Sequence, residues 1–300
     1  MTPLSIGLGD IATTLVNGVS YGMILVLVAL GLSLVFGLMG VLNFAHGALF
    51  MLGGYVGLAV MKLAGGGLAG FGLALVVAPL VVAAIGAGLE KTVFKPLYET
   101  EPIYQLLLTF GLAVVIEEAV KYVWGAAPPG VPSRPPAFDG AVSLAGISLP
   151  YYRLFTILLG VGVVAGTALF LSRTRYGLIV RAGVYNTDRT ATLGLNVERA
   201  FTAVFGLGSA IAALGGVVYI YRAIDPTVGS SIILPAFIVV IVGGLGSFWG
   251  SVIAGLLIGI VWQFSAVYAP IPAGTVTFLL MIGILLLRPQ GILGEAEVEV

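Results

Sequence analysis

Cysteine is absent from this 300-residue sequence, and histidine occurs only once. The absence of cysteine excludes disulfide bonds, cysteine-ligated zinc and thiol chemistry. Charge is scarce too: 9% of the residues are charged, against about 25% in soluble domains, and 59% are hydrophobic. The 13 basic and 13 acidic residues balance, so net charge indicates no affinity for nucleic acid. This composition is typical of a protein embedded in a membrane.

Two motifs of enzymes are also missing. The sequence has neither the His-Glu-x-x-His pattern, which holds a catalytic zinc, nor the Gly-x-x-x-x-Gly-Lys-Ser/Thr loop that binds nucleotide phosphates. We therefore expect that the chain is not an enzyme, holds no cofactor and does not hydrolyse ATP itself.

Ionisable residues within the hydrophobic segments are few. A proton-coupled carrier normally keeps Asp, Glu or His inside its bundle as a relay, and here His46, Glu117 and Glu118 are the candidates. The two glutamates precede Lys121 by four and three residues, a spacing that predicts ion pairs on one helix. An energy source outside this chain is therefore favoured. A gradient-driven secondary carrier or channel is the alternative class.

The hydrophobic residues fall into nine segments, most of them near the roughly 20 residues that a membrane-spanning helix needs. We expect an all-α polytopic membrane protein, a single transmembrane domain over residues 1–300 with eight or nine transmembrane helices. Gly243 to Gly250 joins two segments, so Gly-broken or half-spanning helices are expected there. The segments are 11–36, 43–62, 67–89, 103–124, 151–172, 201–221, 231–249, 250–269 and 274–287.

The basic residues predict the orientation. Five of the thirteen lie within 173–200, and positively charged loops stay on the cytoplasmic side. Counting spans backwards puts Lys91 and Lys95 on that side too, and counting forwards makes 288–300 a cytoplasmic tail. Nine spans place the N-terminus outside, whereas eight would move it inside. The predicted location is a bacterial inner membrane.

Two connections are long. Residues 125–150 are rich in proline and predict an irregular external loop, either a passive connector or a cap where an external protein docks. Within 173–200, Asn186 or Thr187 can start a short helix that ends at Gly194. This cytoplasmic loop is either an orienting basic loop or a lever that a cytoplasmic motor subunit pushes.

The single histidine lies at the start of the second segment. Asn43 is predicted to cap this helix with its side-chain oxygen, which places His46 in the first turn, near the cytoplasmic end of a pathway. His46 is either a structural residue hydrogen-bonded to a neighbouring helix or a gate that lines the pathway. A metal site is disfavoured because partner ligands are lacking.

Two glycine pairs lie in or beside hydrophobic segments, Gly53 with Gly54 and Gly243 with Gly244. Binding sites of transporters are commonly built from broken helices at corresponding positions of two halves. The pairs are therefore candidates for the substrate pathway, together with the region around the histidine. Tight helix packing is the alternative explanation.

Four stretches resemble the membrane permeases of branched-chain amino-acid ABC importers, and specifically the smaller of the two paralogous permease types. They read LNFAHGALFMLGGY, RAGVYNTDRTATLGLNVERAFTAVFGLGSAIAALGGVV, VVIVGGLGSFWGSVIAGLLIG and LLLRPQGILG. The resemblance covers nearly the whole chain in the expected order. It implies a permease that pairs with a second, paralogous permease or a second copy of itself. Two cytoplasmic ATPases that bind ATP and Mg would drive the pair, and a periplasmic binding protein would deliver the substrate.

The resemblance also implies a coupling segment. In this family the stretch that matches residues 181–196 docks in a groove of the ATPase. Asp188 and Arg189 are the expected polar contacts there. The residues to which we assign this coupling role are Asn186, Asp188, Arg189, Thr190, Leu193 and Gly194.

The chain departs from the family pattern at one position. The motif around the histidine often continues with an acidic residue after His-Gly, and this sequence has Ala48 there. A carboxylate that can face an amino group is thus missing. The implied cargo is a branched-chain amino acid. Because related permeases also carry urea, short amides and other carboxylic compounds, such cargo is the alternative.

Overall fold

A computed structural model describes residues 7–98, 100–130, 132–144, 147–185, 196–222, 224–269 and 271–294. Most of this chain is helical. The helices are α1 Leu8–Met39, α2 Ala45–Leu63, α3 Gly67–Leu89, α4 Pro102–Trp124, α5 Tyr151–Arg173, α6 Arg175–Tyr185, α7 Val197–Tyr219, α8 Val228–Gly243, α9 Phe248–Tyr268 and α10 Ala273–Leu287. A π-helical turn, Glu90–Phe94, and a 3-10 turn, Lys95–Leu97, follow α3.

Seven of these helices, α1 to α5, α7 and α9, are long and apolar enough to cross a membrane. Helices α8 and α10 are apolar but have 16 and 15 residues. At about 1.5 Å of rise per residue, each falls short of the roughly 30 Å hydrocarbon core. The prediction of an all-α polytopic membrane protein is confirmed, with two helices of less than spanning length.

Helix α1 lies at the centre of the bundle. It packs against α5, α7, α8 and α9, and 83% of its most apolar window is buried inside the protein. Helices α2 and α7 are next, at 67% each, whereas α4 and α5 have 17% and 22% of theirs buried. The bundle therefore has a protein-enclosed centre and a rim whose helices present an apolar side outwards.

Side-chain contacts show that successive apolar helices run in alternating directions. At one end, the Thr109 hydroxyl of α4 donates to the carbonyl of Leu42, just before α2. At the opposite end, the Tyr152 hydroxyl of α5 donates to the carbonyl of Val218 in α7. We call the end that carries the connection from α5 to α7 the loop end, and the end that carries residues 125–150 the hairpin end.

The Pro-rich connection is more regular than the sequence predicts. A 3-10 turn, Pro136–Phe138, precedes strand β1, Ala141–Leu144, which pairs antiparallel with β2, Ile147–Pro150. The expectation of irregular chain throughout 125–150 is therefore wrong for its second half. Here Val and Ile alternate with smaller residues after the last proline of the cluster, a pattern that suits a short hairpin.

The break between the seventh and eighth segments lies earlier than expected. Helix α8 ends at Gly243, not at residue 249, because Gly244 and Gly246 have φ angles of 103° and 77°. L side chains rarely adopt this left-handed region, which explains the glycines. Ser247 then caps α9, its hydroxyl oxygen accepting from the amide of Gly250 at 3.1 Å. A continuous hydrophobic run is thus divided by backbone conformation.

Candidate functional site

His46 lies in the first turn of α2, as the sequence predicts, and is fully buried. Its ring reaches the backbone of α1, near Val28 and beside Gly31. A Cβ at Gly31 would come within 2.6 Å of Nε2, so a glycine is needed there to accommodate the ring. Neither ring nitrogen forms a hydrogen bond with a residue that the structure describes.

Asn43 is also fully buried, but it does not cap α2. The residue at the cap position is Phe44, and the Asn43 side chain has no hydrogen-bond partner in the described chain. Its backbone carbonyl instead accepts from the amide of His46 at 3.2 Å. The predicted side-chain cap is therefore wrong, because the chain already enters helical geometry at Phe44, which takes the cap position in place of Asn43.

A third buried polar group lies further along α2. The hydroxyl of Tyr55 has no partner among the described residues, while its ring packs on Trp124 of α4 at 5.7 Å. Buried polar groups in proteins are usually paired, since an unpaired one costs about 1–3 kcal/mol. His46 and Tyr55 of α2 thus lack the pairing that is usual for buried polar groups. The buried hydroxyl of Ser209 in α7, in contrast, donates to the Phe205 carbonyl at 2.7 Å.

The two glycine pairs lie in two different packing contacts. A Cβ at Gly53 would overlap Ala213 of α7, and one at Gly54 would meet the Gly216 carbonyl at 3.2 Å. Gly243 packs against the backbone of Gly250 in α9. Neighbouring Gly244 packs against the tail that follows α10, where the amide of residue 293 donates to the Gly243 carbonyl at 3.0 Å. The pathway role of both pairs stays a prediction.

A buried carboxylate at the loop end was missed by the sequence reasoning. Glu90, in the π-helical turn after α3, has 2% of its surface exposed. It accepts hydrogen bonds from the hydroxyl of Tyr98 at 2.6 Å and from that of Thr202, in α7, at 2.5 Å. The only sequence signal is a glutamate directly after the third hydrophobic segment, which resembles an ordinary surface residue.

Further contacts join the same two regions. Tyr98 packs edge-on against Phe201 at 5.2 Å, and Lys95 forms an ion pair with Glu198 at 2.8 Å. Burial and the hydrogen bond to Glu90 raise the pKa of Tyr98, so its hydroxyl remains a donor. The connection from α3 to α4 is thereby attached to the first turns of α7.

The six residues with a predicted coupling role lie outside the residues that the structure describes: Asn186, Asp188, Arg189, Thr190, Leu193 and Gly194. So does the helix predicted to start at Asn186 or Thr187. The structure instead shows a helix just before this stretch, α6, which the sequence analysis did not anticipate. After the undescribed stretch, the side chain of Asn196 accepts a hydrogen bond from the amide of Arg199 at 2.9 Å and caps the start of α7.

The charged residues of α4 pair as the sequence predicts. Lys121 is 2.8 Å from both Glu117 and Glu118. Glu118 nevertheless has 64% of its side chain exposed. The cluster is on a rim helix towards the hairpin end, so it does not belong to the bundle centre.

In the part of the chain that the structure describes, apolar helices of alternating direction form a packed bundle and the charged residues lie towards its two ends, which defines a multi-pass membrane protein. Residues 14–287 match the family model described as branched-chain amino acid transport system / permease component. This chain belongs to that family.

Individual relatives extend over nearly the whole chain. It is 32% identical to the high-affinity branched-chain amino acid transport system permease protein BraD of Pseudomonas aeruginosa, over 95% of this chain and 96% of that protein. It is 31% identical to the corresponding protein LivH of Escherichia coli K12, over 94% and 95%. A probable LivH permease of Methanocaldococcus jannaschii is 29% identical, over 93% and 91%.

Among solved structures, PsaBC from Streptococcus pneumoniae in complex with Fab aligns with 90% of this chain and 89% of its own. The TM-score is 0.45 at 13% identity, which is too low to support a conclusion.

Proposed function

We propose that this chain is the transmembrane permease subunit of an ATP-binding-cassette importer in a bacterial inner membrane. Its cargo would be branched-chain, aliphatic amino acids delivered by a periplasmic binding protein. The observation that carries this proposal is the similarity to BraD and LivH over at least 94% of the chain. Urea, short amides or other small carboxylates are the alternative cargo.

The partners follow from the same proposal. A second paralogous permease, or a second copy of this chain, would complete the pathway. Two cytoplasmic ATPases would bind ATP and Mg, since the sequence has no nucleotide-binding loop. The scarcity of ionisable groups in the bundle supports this arrangement over a gradient-driven carrier or channel, which is the alternative class.

In the proposed orientation the loop end is cytoplasmic. The five arginines within 173–200 support it, and Lys95 lies at the same end, paired with Glu198. Helix α10 also ends there, which would make the C-terminus cytoplasmic. The hairpin end, with residues 125–150, would then face the binding protein.

We further infer how ATPase movement reaches the bundle. The proposed coupling residues directly precede α7, whose Thr202 is bonded to Glu90. Helix α7 packs against α1, α2 and α3. A push on the coupling segment would therefore move α7 and the end of α3 together, with Glu90 as the buried contact between them.

The test is co-purification of the partners. A tag on the C-terminus, mild solubilisation of native membranes and mass spectrometry should recover two P-loop ATPase subunits and a second permease copy or paralogue. Replacing Asp188 and Arg189 together by Ala should lower uptake by about tenfold or more, since charged contacts at interfaces are worth about 2 kcal/mol or more. The matched control is Lys62→Ala at the hairpin end.

Two results would contradict the proposal. Recovery of this chain without any ATPase, while uptake in cells survives ATP depletion, would favour a gradient-driven carrier. Normal uptake by the Asp188 and Arg189 double variant would remove the coupling assignment and leave the permease proposal intact.

A further inference from the structure

The hairpin end contains a cavity of about 300 Å³ between α1, α5 and the turn after α7. Three arginines line it: Arg134 before the hairpin, Arg153 in the first turn of α5, and Arg222 after α7. The rest of the lining includes Ile24 and the aromatic rings of Tyr152 and Tyr221. The cavity thus combines a cluster of positive charges with an apolar wall.

The three arginines line the same cavity and repel one another. Arg153 is close enough to Arg134 and Arg222 to be repelled by both. In the described chain, no carboxylate lies within salt-bridge distance of any of the three. Such a set of like charges is destabilising by itself, and an anion placed between them would relieve the repulsion.

Aromatic rings hold two of these arginines in place. The guanidinium of Arg134 lies 5.4 Å from the ring centre of Tyr152, and that of Arg222 lies 4.9 Å from the ring centre of Tyr21. Tyr152 is itself fixed, because its hydroxyl donates to the carbonyl of Val218 at 2.6 Å. Two of the three side chains are therefore pre-organised, and an anion would have to order only that of Arg153 on binding.

The size and chemistry of the cavity select a ligand class. A volume of 300 Å³ lies at the small end of the range for small-molecule sites, which is about 300–1,000 Å³. Guanidinium groups bind carboxylates through two parallel hydrogen bonds, and they offer no acceptor to a neutral amide's N–H groups. Ile24 and the tyrosine rings suit a short aliphatic chain.

We propose that this cavity binds the carboxylate of a small aliphatic cargo molecule at the hairpin end. As a step in import, this rests on the proposed function, and it favours carboxylate cargo over urea and short amides. All the residues that line the cavity belong to this chain, so ligand binding can be measured without the ATPases.

The test compares isovalerate with isovaleramide, which have the same shape but differ in charge. Saturation-transfer NMR would be recorded on the full chain in nanodiscs of zwitterionic lipid. We expect isovalerate to bind at least about tenfold more tightly than isovaleramide, because hydrogen bonds to a charged group are worth about 1.5–3 kcal/mol. This comparison uses the unaltered chain and does not depend on a variant folding.

Variants then locate the site. Arg153→Gln should weaken isovalerate binding at least about tenfold, and Lys62→Gln, a loss of the same charge at the same end, should change it by less than about twofold. Equal binding of the acid and the amide, or an unchanged affinity in Arg153→Gln, would overturn the proposal.

Two other partners of the arginines, lipid phosphate and the binding protein, would give distinct results. If nanodiscs with phosphatidylglycerol abolish isovalerate binding, the arginines bind lipid phosphate and the proposal fails. If Arg153→Gln reduces only uptake that depends on the binding protein, and isovalerate binding is unchanged, the arginines dock that protein and the proposal also fails. Isovalerate binding without ATP-dependent uptake would keep the cavity but refute the import function.

Discussion

The centre and the rim of the bundle use hydrophobic residues in different ways. In the centre, glycines allow backbones to touch: a Cβ at Gly22 would lie 3.0 Å from the Cα of Leu256, and one at Gly208 would lie 2.9 Å from the carbonyl of Gly31. On the rim, large side chains point outwards, such as Leu107 of α4 and Leu158 of α5, which are 69% and 70% exposed. Shape matters in the centre, whereas the rim requires only an apolar surface for lipid or a second subunit.

The sharpest way to break this contrast is to enlarge one glycine in each region. In Gly216→Leu, the new Cβ would collide with the Phe50 carbonyl and come within 2.8 Å of the Gly54 amide nitrogen. We expect a loss of about 3 kcal/mol or more, the upper range for overpacking, because backbone cannot move aside. Detergent-solubilised protein should show a large fall in melting temperature or in yield.

The matched rim variant is Gly72→Leu on α3. Nothing lies within 4 Å of a Cβ built there, and the position is exposed. We expect unchanged or slightly raised stability, since Leu favours helix more than Gly by about 1 kcal/mol. Equal damage from both substitutions would show that the distinction between centre and rim is wrong.

A smaller effect is expected at the buried carboxylate of the loop end. Glu90→Ala removes the acceptor for Tyr98 and Thr202, and we expect a loss of about 2 kcal/mol, as for hydrogen bonds to a charged group. Thermal unfolding would measure it. Uptake should fall more than stability predicts if Glu90 transmits movement. The control Glu101→Ala alters an exposed residue nearby and should have no measurable effect.

His46→Gln tests the role of a buried polar side chain in the centre of the bundle. The ring is enclosed within this chain by α1 and α2, so we expect a loss of about 1 kcal/mol, typical of a near-isosteric core change, with much of the uptake retained. Melting temperature and uptake would be measured on the same preparation. A stable variant without uptake would favour the gate and reject a structural role.

The smallest effect is expected at Lys95, whose ion pair with Glu198 is exposed at 49% and 73%. Exposed pairs contribute about 0–1 kcal/mol, so Lys95→Ala should shift the melting temperature slightly. A loss as large as that of Glu90→Ala would mean that the surface pair, rather than the buried carboxylate, attaches α3 to α7.

The sequence alone predicts features that depend on local patterns. Hydrophobic run length gives nine apolar helices, and the spacing of Glu117, Glu118 and Lys121 gives their ion pairs. Both follow from the geometry of one helix, which needs no knowledge of its neighbours.

Features that depend on distant contacts were not predictable in this way. The role of Glu90 depends on Thr202, which is more than a hundred residues away, and the arginine cavity gathers three separate parts of the chain. The glycines between the seventh and eighth segments predict a break, but the residue at which α8 ends depends on the positive φ of Gly244, which hydrophobicity does not reveal. The unpartnered side chain of Asn43 likewise contradicts a cap that local residue preference favoured.

The most direct measurement is leucine uptake by the purified transporter in proteoliposomes, with the binding protein outside and ATP either present or absent in the lumen. The account predicts uptake that requires both ATP and the binding protein and that persists when ionophores collapse the ion gradients. Uptake of free leucine by this chain alone, driven by an ion gradient and indifferent to ATP, would contradict it.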